Sequence, residues 1–349
     1  MSKLACRLLL AAGMGILYAQ EFRFIPYRKG DKWGFCTPDK KIIVAPKYDE
    51  VKPFSEICHG MALVRLGDQW GLIDTTGREV VPPKYDRIGY EDIPIPTSED
   101  SPLGGVSIPI SINKVFCGGY APVRRGDLWG VIDAKGREVV PAEYDRIDLD
   151  FFFDCQIFYE GLTWAMRGGK WGVVDTAGRE IVSPRYDDAW DFSGGVAIVG
   201  IGKWRNEKFD GKWGLIDRTG QEIVPPRYEV LEEVVDMIID EYDIREIPQG
   251  LYKVQQNGKW GLIDRTGREI IPPRYDMFQE FPNKEWFIVG IGECREGVDE
   301  KFRLKIPVFH GKLGIMDRAG REVVPLKYEA ITIPSSLEAS RGLVAVKRN

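Results

Sequence analysis

The sequence predicts an all-β fold in which tandem three-stranded antiparallel units stack into an open or superhelical array. Two observations lead to this prediction. A Trp-Gly pair recurs along the chain, and a tyrosine follows each copy fifteen residues after the tryptophan position. The segments around each pair alternate apolar and polar residues and are separated by glycine-containing turns, as short strands are. A closed seven-bladed β-propeller fits the same pattern and stays open as an alternative.

The aromatic positions of the repeat are predicted to form the core of each unit. Units start near residues 33, 70, 129, 171, 213, 260 and 313, where the last copy has Leu313-Gly314 in place of Trp-Gly. A buried aromatic ring contributes a large apolar area, and a tyrosine hydroxyl needs a polar partner. The predicted core residues are Trp33, Trp70, Trp129, Trp171, Trp213 and Trp260, with Tyr48, Tyr85, Tyr144, Tyr186, Tyr228, Tyr275 and Tyr328.

A repeated Asp-x-x-Gly pattern predicts a tight turn after each tryptophan strand. The aspartate would cap the first position of the turn, and the glycine would take positive φ at the last. Six copies have this pattern, at Asp74 and Gly77, Asp133 and Gly136, Asp175 and Gly178, Asp217 and Gly220, Asp264 and Gly267, and Asp317 and Gly320. The repeated carboxylates therefore have a structural role in this interpretation.

Three strands are predicted for each unit. The first precedes the Trp-Gly strand across a glycine turn, and the third follows the Asp-x-x-Gly turn. We expect the third strand to end at the prolines beyond it, because proline cannot donate to a ladder. A first strand stands at each end of the repeat region, so eight first strands are expected for seven of the others.

The segments between units are irregular, and three of them have a pattern of their own. Residues 197–214 and 287–314 have similar extensions around Gly-Ile-Gly, which predict longer hairpins. Residues 229–246 place valine, leucine and isoleucine at helical spacing with acids between them, which predicts one inserted helix.

These motifs resemble the WG-repeat family, also called KWG repeats. The resemblance rests on K-W-G-x-I-D-x-x-G-R-E-V-V-P-P-K/R-Y-D and covers about residues 22–349. It implies a bacterial, all-β repeat protein that is often exported. The family has no one shared activity, so the resemblance implies no catalytic residue.

The N-terminal twenty residues have the pattern of a secretory signal peptide. Lys3 and Arg7 precede the uncharged run Leu8 to Ala19, which is too short to span a bilayer. We expect cleavage near residue 20, a single domain over residues 21–349, no integral membrane segment afterwards, and a periplasmic or extracellular location. Five cysteines then remain, and their pairing is left open: Cys36, Cys58, Cys117, Cys155 and Cys294.

No pattern for catalysis, a cofactor or a metal site stands out, so the sequence predicts a protein that is not an enzyme. There are two histidines, and neither comes with a recognisable nucleophile, zinc or phosphate-binding motif. The net charge of −5 and the lack of a basic block give no electrostatic reason to bind nucleic acid.

Binding is the remaining function class. Tryptophans outside the repeat positions, Trp190, Trp204 and Trp286, are the candidate contact residues. Exposed aromatic rings serve as hot spots for protein partners or stack on sugars. We expect a scaffold that binds a protein partner in the cell envelope or outside the cell. A glycan- or cell-wall-binding module is the alternative, and a hydrolase is third. Specificity is expected in the unrepeated segments 89–119, 198–212, 229–247 and 289–311.

Overall fold

The computed structural model describes residues 24–54, 59–89, 115–149, 156–206, 208–239, 244–281, 285–299, 304–332 and 345–347. Within these ranges, every regular element is a β-strand, and the strands form antiparallel sheets that do not close on themselves. The all-β prediction is therefore confirmed. The signal-peptide prediction and most of the 89–119 connection fall outside the described residues.

The chain divides into two compact units, and the division falls inside the fourth sheet. Unit 1 is Met1–Arg167 with Val174–Arg179, and unit 2 is Gly168–Val173 with Glu180–Asn349.

The first three sheets lie in unit 1. Their strands are β1 Ile25–Lys29, β2 Lys32–Cys36 and β3 Ile42–Tyr48; β4 Glu50–Val51, β5 Ala62–Leu66, β6 Gln69–Ile73 and β7 Glu79–Tyr85; β8 Arg87–Ile88, β9 Tyr120–Arg125, β10 Leu128–Asp133 and β11 Glu138–Tyr144.

The remaining sheets continue the same order. The fourth and fifth consist of β12 Arg146–Ile147, β13 Leu162–Arg167, β14 Lys170–Asp175 and β15 Glu180–Tyr186; β16 Asp188–Ala189, β17 Val196–Arg205, β18 Lys208–Asp217 and β19 Glu222–Tyr228. The sixth, seventh and last consist of β20 Val230–Ile239, β21 Ile244–Gln256, β22 Lys259–Asp264 and β23 Glu269–Tyr275; β24 Met277–Glu280, β25 Trp286–Asp299, β26 Leu304–Asp317 and β27 Glu322–Tyr328; β28 Ala330–Thr332 and β29 Ala345–Lys347.

Each repeat contributes to two sheets, which the sequence did not predict. The strands of a four-stranded sheet follow chain order, as in β4-β5-β6-β7. The first of the four begins two residues after the tyrosine of the preceding repeat, and it is short except in the sixth sheet. Within the described ranges, six sheets therefore have four strands where three were expected, while the first has three and the last has two. The eight first strands are present as predicted, from β1 to β29.

The third strand does not end at the prolines, so that prediction is wrong. In the second sheet, β7 runs through Pro82 and Pro83, and its register shifts between the pairs Leu72↔Val81 and Trp70↔Tyr85. The prolines lie in this bulge on an edge strand, where the ladder needs no donor from them.

The bulge explains why glycine follows the tryptophan. A Cβ atom added to Gly71 would lie 2.4 Å from the carbonyl oxygen of Val81 and 2.7 Å from the nitrogen of Pro83. The bulged backbone crosses directly over this position, so no side chain fits there. The Trp-Gly pair and the proline-tyrosine segment are thus two halves of one structural feature.

The helix predicted at residues 229–246 is wrong. This segment forms β20 and the start of β21, which pair from Val230↔Gln255 to Ile239↔Ile244. A register shift between Glu233 and Val235 puts Leu231 and Val234 into the core three residues apart. The apparent helical spacing therefore comes from a bulge in a strand of β-branched residues.

The two longer hairpins are confirmed. β17 and β18 pair continuously from Val196↔Asp217 to Arg205↔Lys208, and β25 and β26 pair from Trp286↔Asp317 to Asp299↔Leu304.

Hydrophobic clusters join successive sheets within each unit. In unit 1, Leu72, Val81 and Tyr85 of the second sheet are buried with Val123 and Ile132 of the third. Among the cysteines, Cys36 is a buried free thiol, Cys294 is an exposed free thiol, and Cys117 is disulfide-bonded.

Candidate binding surface

Three of the repeat tyrosines are fully buried and donate a hydrogen bond to the next repeat. Tyr48, Tyr85 and Tyr186 have no exposed surface, and Tyr328 of the last copy is half-buried. The hydroxyl of Tyr48 donates to Glu79 at 2.8 Å. The same bond joins Tyr85 to Glu138 at 2.8 Å and Tyr186 to Glu222 at 3.0 Å. Burial raises the pKa of Tyr48 and of Tyr85, and the glutamate beside each raises it further.

The repeat tryptophans are less buried than the tyrosines that they face. Trp213 is buried, while the other five, Trp33, Trp70, Trp129, Trp171 and Trp260, are partly exposed. Each described pair places the tryptophan opposite its tyrosine, as in Trp70↔Tyr85. A cation covers some of the rings, and the guanidinium of Arg65 lies 5.8 Å from the centre of Trp70.

In four repeats, the acid that follows the tyrosine is seen to connect two sheets. Asp49 accepts from Lys32 of its own repeat at 2.6 Å and from the backbone N–H of Gly67, in the next hairpin turn, at 2.8 Å. Asp276 has the equivalent bonds to Lys259 and to Gly292. The ammonium of Lys259 and the Gly292 N–H hold the pKa of Asp276 below its usual range.

The turn aspartates are engaged by their own turns. Asp133 accepts backbone bonds from Lys135 at 2.9 Å and Arg137 at 2.9 Å, and the Gly136 N–H donates to the Asp133 carbonyl at 2.9 Å. Gly136 has a φ of +75°. Burial by itself raises the pKa of Asp133, but the hydrogen bonds from Arg137 and Lys135 outweigh this effect and lower the pKa overall.

The acids described above are therefore hydrogen-bonded in structural roles. Within the described ranges, no group of three or more His, Cys, Asp or Glu side chains is placed to hold a metal ion. In the part of the chain that the structure describes, no helix is long and apolar enough to cross a membrane.

A group of aromatic rings extends from the repeat tryptophan Trp213 to the surface of the fifth sheet. We call Trp190, Trp204, Phe209 and Trp213 of the fifth sheet the aromatic cluster. Its rings form a continuous chain of contacts: Trp204 meets Phe209 at 5.6 Å between centroids, Phe209 meets Trp213 at 4.3 Å, and Trp213 meets Trp190 at 6.3 Å. Phe209 and Trp213 are buried, whereas Trp190 is 51% and Trp204 is 58% exposed.

Glycines of the long hairpin make room for the cluster. Gly200 lies opposite Trp213, and a Cβ there would be 2.8 Å from the Phe209 ring and 2.9 Å from the Trp213 ring. Atoms of both rings therefore lie close to the backbone of β17 at Gly200. Since side chains on a strand alternate between faces, Trp204 projects on the same face as Gly200.

A carboxylate fixes the more exposed ring. The indole Nε1–H of Trp204 donates to Asp188 at 2.8 Å, and the other oxygen of Asp188 accepts from the backbone N–H of Ala189 at 2.8 Å. Beyond the ring, Arg205 and Asp210 form an ion pair at 3.6 Å. The cluster is thus a pre-arranged apolar surface with a polar rim.

The third candidate, Trp286, lies elsewhere. It is partly buried in the seventh sheet, where its ring meets Phe281 at 5.5 Å. The long hairpin of that sheet has the same glycine and phenylalanine positions, because Phe309 contacts Gly290 as Phe209 contacts Gly200. However, exposed Cys294 stands in the position of Trp204.

Family comparison identifies the repeat. The model described as "WG containing repeat" matches residues 33–70, 70–92, 129–171, 171–203, 213–236, 232–260 and 260–293, together more than half of the chain. The chain belongs to the WG-repeat family. A search of curated proteins finds no match to this WG-repeat sequence.

Solved structures similar to this WG-repeat protein are distant. One is titled a crystal structure of the eukaryotic initiation factor, with 10% identity, a TM-score of 0.26, and coverage of 89% of this chain and 87% of that one. Kluyveromyces lactis Hsv2 has 8% identity, a TM-score of 0.22, and coverage of 75% and 72%. The extracellular domain of a putative one component system from B. thetaiotaomicron has 10% identity, a TM-score of 0.22, and coverage of 77% and 38%.

Two residues of the aromatic cluster were predicted from the sequence, but the residues that position their rings were not. Trp190 and Trp204 were candidates in this WG-repeat chain, whereas Phe209, Asp188 and the role of Gly200 were not. A signal was present, because Gly200 and Gly202 alternate with Ile201 on the strand that faces Phe209 and Trp213. Recognising it requires the hairpin register, in which Trp204 pairs with Phe209 and Gly200 with Trp213.

Proposed function

We propose that this WG-repeat protein is a non-enzymatic scaffold that binds a protein partner outside the cytoplasm through the aromatic cluster. The observation that carries the proposal is the exposure of Trp190 and Trp204, at 51% and 58%, in one contiguous group of rings. Exposed tryptophans grouped on a rigid element are the residues that most often dominate binding energy at protein interfaces.

The state of the repeated acids supports a role without catalysis. A general acid or base needs a pKa near the working pH. Hydrogen bonds from Lys259 and Gly292 lower the pKa of Asp276, and bonds from Thr219 and Gln221 lower that of Asp217. Such carboxylates stay ionised and already have donors, as structural groups do.

Two features support a location outside the cytoplasm, in the envelope of a bacterium or beyond it. The N-terminal sequence has the charged and apolar regions of an export signal. Cys117 is disulfide-bonded, and disulfides persist mainly in oxidising compartments.

A glycan is the second candidate ligand, and the bond between Trp204 and Asp188 favours it. An indole held in place beside a carboxylate offers a flat apolar face together with a hydrogen-bond acceptor, which suits a sugar ring.

The test compares the wild type with the double variant W190A/W204A in capture from an envelope extract and on a purified glycan panel. The matched control is Ile291→Ala, which truncates an exposed residue of the other long hairpin. We expect a protein that the wild type and the control retain and that the double variant loses at least tenfold. If the wild type binds a glycan and the double variant does not, the ligand is a glycan and not a protein. Hydrolysis of a bound glycan would indicate a hydrolase. Equal capture by all three proteins would refute the role of the cluster.

A further inference from the structure

Five of the six turns that contain the repeated aspartate also contain an arginine–aspartate ion pair. In five copies, an arginine four residues after the turn aspartate binds the second oxygen of that carboxylate. The nitrogen–oxygen distances are 2.7 to 3.1 Å for Arg78–Asp74, Arg137–Asp133, Arg179–Asp175, Arg268–Asp264 and Arg321–Asp317. These pairs show what the turn carboxylate accepts: a planar guanidinium.

The fifth repeat has Gln221 at the arginine position. Oδ1 of Asp217 has the usual turn donors, the N–H and hydroxyl of Thr219 at 2.8 and 2.6 Å and the N–H of Gln221 at 3.0 Å. Among the described residues, Asp217 forms no ion pair and the Gln221 amide makes no side-chain hydrogen bond. The second carboxylate oxygen thus lacks the partner that its five equivalents have.

An open cleft of about 440 Å³ lies at this place, between the fifth and sixth sheets of unit 2. Asp217, Gln221, Glu222, Arg265 and Thr266 line it, with the apolar Val196 and Ile223. Sites for small ligands have volumes of about 300–1,000 Å³, so a side chain or an amino acid fits the space.

The residues that the sixth sheet contributes to the cleft include a cation, Arg265. A Cβ added to Gly250 would lie 2.4 Å from a terminal nitrogen of Arg265, so this guanidinium lies against the glycine backbone. Within the ranges that the structure describes, Arg265 forms no ion pair, and it is exposed. The cleft therefore presents an unpaired carboxylate from the fifth sheet and an unpaired guanidinium from the sixth.

We propose that this cleft binds a guanidinium-bearing ligand, with the guanidinium on Asp217 in the position that the repeat's own arginine takes in the other copies. Arg265 is placed to receive a carboxylate of the same ligand. The guanidinium can come from free arginine or from an arginine side chain of a partner protein. The inference stands on Gln221 and the cleft, so it is independent of the aromatic cluster and of the proposed function.

The experiment is a ligand-observed NMR titration of the full chain with L-arginine and with L-citrulline, its neutral isostere. Because exposed ion pairs are weak, the expected Kd for arginine is on the order of 1 mM. Citrulline should bind at least tenfold more weakly. The variant Gln221→Arg installs the repeat's own ion pair, so it should fold normally and lose arginine binding at least tenfold.

The matched variant Arg268→Gln exposes Asp264 in the next repeat and should add a second arginine site. Equal binding of arginine and citrulline, or unchanged arginine binding by Gln221→Arg, would overturn the proposal.

Nα-acetyl-arginine amide, which has no carboxylate, distinguishes free arginine from an arginine side chain of a partner protein. If this blocked compound binds more weakly than arginine, the ligand is the free amino acid. If the two bind equally, the ligand is an arginine side chain of a partner protein. The double variant W190A/W204A should bind arginine as the wild type does.

Discussion

The hydroxyl of Tyr85 donates to Glu138 of the following repeat, with 2.8 Å between the two oxygen atoms. Glu138 also accepts from the backbone N–H of Ala142 at 3.0 Å and faces the ammonium of Lys84 at 3.3 Å. One carboxylate thus holds a buried tyrosine of one repeat and the bulge of the next, which connects neighbouring sheets beyond their apolar contacts.

Replacing Tyr85 with phenylalanine should destabilise the protein by about 1–2 kcal/mol, because a hydrogen bond to a charged group is lost while the ring stays. The measurement is the free energy of unfolding in urea. Tyr328→Phe is the control, since this half-buried hydroxyl has no hydrogen bond among the described residues. Equal losses for the two variants would contradict the role given to the Glu138 bond.

Stability should fall above about pH 10. Burial and the neighbouring glutamates raise the pKa of Tyr48 and Tyr85 above the ordinary 10.0. A group whose pKa is raised in the folded state contributes stability that is complete below its unfolded pKa and is lost as pH rises beyond it. Urea midpoints between pH 8 and 11 test this. Tyr85→Phe should show a smaller decline than the wild type, and a steeper decline would argue against the assignment.

Acid should weaken the contacts between sheets. Lys259 and Gly292 lower the pKa of Asp276 below the ordinary 3.8, so its contribution is present above that pH and is lost as pH falls further. The stability difference between the wild type and Asp276→Asn, measured by urea unfolding, should therefore shrink from pH 6 to pH 3. A difference that does not change over this range would show that the charge of Asp276 contributes nothing.

Gly71→Ala should cost about 3 kcal/mol or more, because the new methyl group meets the backbone of Val81 and Pro83 rather than a movable side chain. The control is Gly67→Ala, where a Cβ meets nothing within 4 Å and only the φ of +62° is unfavourable. That variant should lose about 1 kcal/mol. Thermal melts of both variants measure the difference, and a milder effect at Gly71 than at Gly67 would rule out the crossing of the bulge over this glycine.

The candidate site was partly visible in the sequence. Trp190 and Trp204 stood out because they fall outside the repeat positions, but Trp286 stood out for the same reason and lies in another sheet. Their grouping depends on the pairing of Gly200 with Trp213 and on the ring of Phe209. Gln221 was not a candidate, because the missing ion pair is recognised only when its turn is compared with the arginine–aspartate pairs of the other turns.

The sequence by itself determined the repeat, its all-β character, the long hairpins and the number of first strands, since these follow from local alternation, turn residues and fixed spacing. The tertiary structure alone decided which sheet each short strand joins, how the prolines form a bulge over Gly71, and that residues 230–239 form a strand. These depend on contacts between residues far apart in the chain. A local pattern such as the spacing of Leu231 and Val234 fits a helix or a bulged strand equally well, and only pairing with β21 selects the strand.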